Sequence, residues 1–244
     1  MTIKTILFVA TDRGSAAAGL DWARDLARQQ AAHLAMALVG EPAEPSIAER
    51  LESAAPAATV LRHATLDEAW IAQQARHADL VVMALPQTRS ADGGDEIKLI
   101  EALAHTVGCP IVTLPPRIVP DRVARRVAIA WDGSPPAQRA VRAALPLLAK
   151  ADVVGIVTID PEHPIDLATQ LQHFLDRHGI TATAEPIIGK DAECGALLEQ
   201  AVDQLDADLL VMGARGHPRV PKWLLGGTTC HVIGRVGIPI MVSA

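Results

Sequence analysis

The fold of this chain is decided by a stretch that occurs twice. It reads Ile-Lys-Thr-Ile-Leu-Phe-Val-Ala-Thr-Asp at residues 3–12 and, 120 residues later, Val-Ala-Arg-Arg-Val-Ala-Ile-Ala-Trp-Asp at residues 123–132. Two more segments repeat in the same order, 129 residues apart: 79–83 with 208–212, and 109–112 with 238–241. Matches that keep one order indicate a tandem duplication. We therefore predict one domain at residues 1–118 and a second at residues 122–244.

Within each half, short apolar segments alternate with alanine-rich segments of helical periodicity. The apolar segments lie at residues 5–10, 34–39, 79–84 and 110–114 and at residues 126–131, 153–159, 208–213 and 238–243. They are too short for helices, and strands that are apolar throughout and alternate with helices are typical of a parallel sheet covered on both faces. The pattern predicts an α/β fold in each half.

Composition and charge argue against several classes of protein. Half of the 244 residues are hydrophobic, so the chain is expected to fold rather than remain disordered. A net charge of −6 and an aromatic content of 2% argue against a nucleic-acid partner, which needs a basic surface or aromatic platforms. Three cysteines without CxxC spacing favour a reducing compartment. The opening apolar segment is too short to cross a membrane, so we expect a cytoplasmic protein with no membrane partner.

The second half carries a cluster of glycines where a predicted strand ends. Met212-Gly213-Ala214-Arg215-Gly216 leaves this strand, and Gly226-Gly227-Thr228-Thr229 opens a predicted helix. Glycines let the backbone approach a ligand, and a helix N-terminus offers unpaired N–H groups to a phosphate. Asp132, at the end of its own strand, is expected at the same edge of the sheet. The cluster therefore predicts a nucleotide site, with the acid toward the nucleoside and the amides and threonine hydroxyls toward the phosphates.

The first half lacks this cluster. The positions 129 residues before Gly213, Gly216, Gly226 and Gly227 hold Ala84, Gln87, Ile97 and Lys98. If the fold alone required the glycines, the first copy should need them too. The comparison favours a ligand role in the second half and argues against nucleotide binding in the first. On this interpretation, Gly213→Val is expected to block the pocket.

These motifs resemble those of the universal stress protein family in its tandem form, over nearly the whole chain. The family's ATP-binding motif, Gly-x2-Gly-x9-Gly-(Ser/Thr), matches Gly213, Gly216 and Gly226 in spacing, and its first-strand aspartate corresponds to Asp132. The resemblance places Thr158 in the adenine pocket. It implies two tandem Rossmann-like domains of the adenine nucleotide alpha hydrolase-like type, each an open five-stranded parallel sheet with helices on both faces.

The resemblance also implies how the two halves pair. The family's last strand often pairs across a dimer interface, so the halves are expected to form an intramolecular pseudo-dimer through edges near residues 110–114 and 239–243. Apolar edge strands that open with proline fit being covered in this way. Whether two chains pair again into a homodimer is left open.

One position departs from the family motif. Gly227 stands where ATP-binding members have serine or threonine, which removes a hydroxyl from the expected phosphate contact. One hydrogen bond to a charged group contributes about 1.5–3 kcal/mol, and Thr228 or Thr229 could substitute for it. The expected ligand is ATP, ADP or AMP, with or without Mg²⁺. The expected binding residues are Asp132, Thr158, Met212, Gly213, Gly216, Gly226, Gly227, Thr228 and Thr229.

No catalytic residue and no metal site is expected. The chain has no Walker lysine motif and no GxGxxG, and neighbours such as Cys230 and His231 point about 100° apart on a helix, so they do not pair as nucleophile and base. Trp131 is interpreted as a core residue. We interpret the chain as a nucleotide-binding regulatory protein of the stress response. The alternatives are a nucleotide-free scaffold and, less favoured, a slow ATP hydrolase.

Overall fold

The chain forms two compact units, Thr2–Val123 and Ala124–Ala244. The structure is a computed structural model that describes residues 2–11, 16–39, 59–65, 67–84, 94–118, 122–160, 164–190, 193–214 and 227–244. Each unit is described by itself below. Within these residues, no helix combines the length and the hydropathy that crossing a membrane requires.

The described part of the first unit is a parallel sheet with helices between its strands. Its elements are β1 (Thr5–Thr11), α1 (Ala16–Gln30), β2 (His33–Val39), β3 (Thr59–His63), α2 (Glu68–Ala75), β4 (Leu80–Ala84), α3 (Gly94–Thr106) and β5 (Ile111–Leu114). The strands lie in the order β3-β2-β1-β4-β5, and all neighbours are parallel.

The described part of the second unit has the same arrangement. Its elements are β6 (Arg126–Ala130), α4 (Pro135–Leu148), β7 (Val153–Ile159), α5 (Pro164–Asp176), β8 (Thr183–Ile187), α6 (Cys194–Gln204), β9 (Leu209–Gly213), α7 (Gly227–Arg235) and β10 (Ile240–Ser243). The strand order is β8-β7-β6-β9-β10, again with all neighbours parallel.

The predicted Rossmann-like α/β fold is confirmed in both units. In each unit, the first strand lies in the middle of the sheet, and the next two strands are added outward on one side of it. The last two strands are added on the other side. Because crossovers between parallel strands are right-handed, this reversal places helices on both faces. The inner strands β4 and β9 are apolar and almost wholly buried, as strands covered on both faces must be. The edge strand β8 instead exposes Glu185 and Pro186.

An aspartate just before the fourth strand ties each sheet together. In the second unit, the two carboxylate oxygens of Asp208 each accept a hydrogen bond at 3.0 Å from the backbone N–H groups of residues 125 and 126. In the first unit, Oδ2 of Asp79 accepts from the N–H groups of residues 4 and 5 at 2.7 and 2.9 Å. The aspartate that the sequence repeats therefore pairs the backbone donors at the start of the first strand in both units.

Candidate functional site

Three of the predicted binding residues lie at one edge of the second sheet, where the strand order reverses. Asp132 follows β6, Thr158 lies near the end of the neighbouring β7, and Gly213 ends β9 on the other side of β6. The backbone N–H of Trp131 donates to the carbonyl of Val157 at 2.9 Å and so continues the pairing of β6 with β7. Ligands of open α/β sheets bind at such a reversal, beyond the carboxyl ends of the strands.

Asp132 is held by a tight turn. Its Oδ1 accepts a hydrogen bond from the Ser134 N–H at 2.9 Å. Between them, Gly133 has a φ of +73°, a conformation that favours glycine. The Asp132 side chain is exposed, and a carboxylate can accept about four hydrogen bonds. The turn therefore fixes this carboxylate and leaves capacity for the hydroxyl or amine of a ligand.

The N-terminus of α4, which follows this turn, has no free N–H group for a phosphate. Its first two residues, Pro135 and Pro136, have no N–H. The Ala137 N–H donates to Oγ of Ser134 at 3.3 Å, and the Gln138 N–H donates to the Ser134 carbonyl at 2.9 Å. All four amide positions of the first turn are thus accounted for. An anion at this edge needs other donors, such as those at the start of α7.

Gly213 has a packing reason to be glycine, which corrects the comparison of the two halves. A Cβ atom at this position would lie 2.6 Å from the backbone nitrogen of Ala137 and 2.9 Å from the carbonyl carbon of Pro136. In the first unit the small residue lies on the helix instead, because a Cβ at Gly19 would lie 3.3 Å from that of Ala84. The fold itself requires the glycine at 213, so its absence from the first half does not assign it to a ligand.

Thr229 is also committed to the fold. It is 2% exposed, and its hydroxyl donates to the carbonyl of Ala214 at 3.2 Å. The Ala214 N–H in turn donates to the Ser243 carbonyl at 2.7 Å. A phosphate needs hydrogen-bond donors, and the hydroxyl of Thr229 already donates to Ala214. In this geometry, Thr229 therefore does not replace the hydroxyl that is missing at Gly227. It anchors the first turn of α7 to the end of β9.

The remaining predicted binding residues are buried, start α7, or lie outside the part of the chain that the structure describes. Thr158 is fully buried and Met212 is 5% exposed. Gly227 is the first residue of α7, as the sequence predicted for a helix start. Gly216 and Gly226 lie outside the described residues, as does the side chain of Thr228.

Trp131 was not predicted as part of the site, yet it lies directly before Asp132. The sequence favoured a core position, whereas the residue is half-buried. Its Nε1–H is shielded from solvent and has no acceptor among the residues that the structure describes. Buried indole N–H groups usually find a partner. Within the described part of the chain, this indole N–H is a buried donor without an acceptor, a feature that depends on tertiary packing and leaves no signal in the sequence.

Two observations on the described part of the chain concern metal ions and cysteine reactivity. There, no three His, Cys, Asp or Glu side chains gather closely enough to hold a metal ion. Burial raises the pKa of the Cys109 thiol from 9.0 to about 11, with a smaller contribution from the negative charge of Asp79. A thiol that stays protonated at neutral pH is a weak nucleophile.

Cys109 is therefore expected to alkylate slowly in the folded chain. A pKa two units above the ordinary value lowers the thiolate fraction near neutral pH about a hundredfold. Iodoacetamide labelling at about pH 8, followed by peptide mass spectrometry, should show Cys109 reacting about a hundredfold more slowly in the folded chain than in urea. Cys194, which is half-buried at the start of α6, is the internal reference and should react sooner. Equal folded and unfolded rates for Cys109 would contradict the prediction.

Comparison with known proteins finds similarity to one family. The sequence model of the Universal stress protein family matches residues 169–243. Universal stress protein Slr1230 from Synechocystis sp. is 28% identical over 148 residues, which cover 58% of this chain and 49% of that protein. By sequence, the second unit is similar to the universal stress protein family. The family match lies in the second unit, and the chain spans about half the length of the curated relative it matches.

Solved structures of similar fold cover nearly the whole chain. A universal stress protein from Archaeoglobus fulgidus DSM 4304 has a TM-score of 0.72 at 16% identity, covering 99% of this chain and 96% of that one. A protein of unknown function from Pseudomonas aeruginosa PAO1 has a TM-score of 0.65 at 15% identity, covering 99% and 92%. At these identities the likeness concerns the fold.

Proposed function

We propose that the second unit binds an adenine nucleotide, ATP or its relatives ADP and AMP, as the regulatory ligand of a universal stress protein. The observation that carries the proposal is the position of Asp132. An exposed carboxylate is held by its own turn at the reversal of strand order, with one oxygen accepting at 2.9 Å and the rest of its capacity unused by that turn. A ribose hydroxyl or an adenine amine suits such an acceptor.

The nucleoside end of the ligand is assigned to the ends of β6 and β7. Thr158 is a fully buried polar residue near the end of β7, beside the end of β6. Trp131 precedes Asp132 in the chain and is half-buried, and its buried indole N–H has no acceptor among the described residues. An apolar wall with a few placed polar groups is typical of sites for small organic ligands.

The phosphate end is assigned to the glycine segment and the start of α7. The first turn of α4 has no amide to offer, whereas α7 begins at Gly227 with its N-terminus at the carboxyl edge of the sheet. Backbone amides at a helix start and its positive dipole end favour phosphate. Gly216, Gly226 and Thr228 belong to this assignment by sequence. Since Thr229 donates elsewhere, we expect weaker binding than a serine or threonine at position 227 would give.

The test is calorimetric titration of the full chain with ATP and Mg²⁺. We expect one nucleotide per chain, and about tenfold weaker binding for Asp132→Asn, since asparagine keeps the turn but loses the charge. Asp12→Asn is the matched control, because Asp12 ends the equivalent segment of the first half and should not affect binding. Native mass spectrometry of gently purified protein reports whether the nucleotide is already present.

Three results would contradict parts of this proposal. Two nucleotides per chain would show that the first half also binds. Equal affinities for Asp132→Asn and the unmodified chain would place the ligand elsewhere. No binding up to about millimolar nucleotide, an affinity of about 4 kcal/mol, would favour the nucleotide-free scaffold. The cytoplasmic location and the pairing of the two halves through their last strands stay predictions.

A further inference from the structure

The ring of His231, on α7, lies directly on Gly195 of α6. A Cβ atom at position 195 would lie 2.6 Å from Cδ2 and 2.8 Å from Cγ of His231, so only glycine allows this approach. The two helices pack against each other, and each begins at the carboxyl edge of the sheet, because each follows a strand. Together with the anchor at Thr229, this contact fixes where the first turn of α7 lies.

The Nε2 atom of His231 faces a carboxylate without being bonded to it. It lies 3.9 Å from Oε2 of Glu199 on α6, which is beyond hydrogen-bond distance. The atom is shielded from solvent and has no hydrogen-bond partner within the described part of the chain. A neutral ring gains little from this geometry. A protonated ring would gain a charge-assisted hydrogen bond by closing a gap of about 1 Å.

The first unit does without this pair, although its fold is the same. At the spacing of 129 residues, Ala102 and Trp70 stand in place of His231 and Glu199. The spacing holds for these helices, because α3 and α7 end at residues 106 and 235 and α2 and α6 end at residues 75 and 204. The pair is therefore particular to the second unit. It belongs to the unit for which nucleotide binding is proposed.

We propose that His231 and Glu199 form a proton-controlled link that regulates the nucleotide site. Histidine changes its charge between about pH 5 and 8. Protonation draws α7 toward α6, fixes the amides at the start of α7, and adds positive charge beside the phosphates. The affinity for nucleotide is then higher at about pH 6 than at about pH 8. This inference rests on the proposed function, since it regulates the same site.

Both helices carry charged residues besides this pair. On α6, Glu193 precedes the helix and Asp203 lies one turn beyond Glu199. On α7, Arg235 lies one turn beyond His231 and is exposed, so solvent screens its repulsion. Glu193 and Asp203 are exposed as well, so solvent screens their charges too.

The link itself is tested in the ligand-free chain by a double-mutant cycle. The unmodified chain, H231Q, E199Q and the double variant are unfolded in urea at about pH 6 and about pH 8. We expect a coupling of about three- to fivefold in the unfolding equilibrium constant at the lower pH and none at the higher, because half-exposed ion pairs contribute modestly. The matched control is the same cycle for Arg125 and Asp152, an ion pair at 2.7 Å in the same unit. Its coupling should be equal at both pH values.

The regulation is tested by titrating ATP and Mg²⁺ into the unmodified chain and E199Q at the two pH values. At the lower pH the unmodified chain should bind about three- to fivefold more tightly than E199Q, and at the higher pH equally. Both proteins bind the same nucleotide, so the ratio of their affinities at one pH does not depend on the protonation of the nucleotide itself. A ratio independent of pH, or a pH-independent coupling in the cycle, overturns this inference alone. The absence of nucleotide binding from the unmodified chain at both pH values overturns the proposed function and, with it, this regulation.

Discussion

Asp208→Ala is expected to lower the free energy of unfolding of the second unit by about 3 kcal/mol. Asp208 is 5% exposed, and its carboxylate accepts from the two successive N–H groups of residues 125 and 126. Alanine leaves both donors without a partner at the start of β6, and each unpaired buried donor costs about 1–3 kcal/mol. Hydrogen exchange measured by mass spectrometry checks this, because the amides of β6 and β9 should exchange on the order of a hundredfold faster.

Two further variants separate this role from a general effect of mutation. Asp79→Ala removes the equivalent acceptor from the first unit, where the aspartate is half-buried and the amide of residue 4 is exposed. Its effect should be smaller and confined to exchange in β1 and β4. Asp208→Asn keeps one acceptor oxygen and should fall between the unmodified chain and the alanine variant. Unchanged exchange in β6 for Asp208→Ala would show that these hydrogen bonds do not hold the sheet.

The architecture could be predicted because it depends on features that repeat along the chain. The apolar segments ending in Asp12 and Asp132 mark the first strand of each half, and the repeated Asp79 and Asp208 mark the fourth. Burial on both faces makes these strands apolar throughout, which is visible in sequence. The helix start at the second glycine pair was predicted from the sequence as well, whereas the order of the strands is known from the structure.

The roles of individual site residues could not be predicted, because they depend on what lies across from each one. The sequence shows Thr229 near a phosphate motif, but only the structure shows its hydroxyl donating to Ala214. Likewise, the Ser134-Pro135-Pro136 sequence is typical of a helix start, but it does not show that every amide position of that turn is accounted for. Tertiary contacts decide which polar groups stay available to a ligand.

Gly213→Val is expected to destabilise the second unit by on the order of 4 kcal/mol, rather than simply to block a pocket. The first added carbon would lie 2.6 Å from the backbone nitrogen of Ala137 and 2.9 Å from two atoms of Pro136. These are backbone and proline atoms of a capped helix start, so they cannot move aside as a flexible side chain would. Relief requires α4 to shift away from β9, which disturbs the turn that holds Asp132. Urea unfolding of the full chain, with exchange of the α4 and β9 amides, measures the loss.

The size series at this position distinguishes packing from ligand binding. Gly213→Ala should cost about half as much as the valine change, because it adds the clashing carbon without the branches. Gly19→Ala is the matched change in the first unit, where the nearest atoms are side-chain carbons of Phe8 at 3.2 Å and of Ala84 at 3.3 Å, and it should cost less than Gly213→Ala. If Gly213→Val instead keeps full stability and loses only nucleotide affinity, the contact with α4 is not the reason for the glycine. Loss of affinity in proportion to loss of stability means that Gly213 supports the site by positioning α4, and that Asp132 is the residue through which the ligand must be tested.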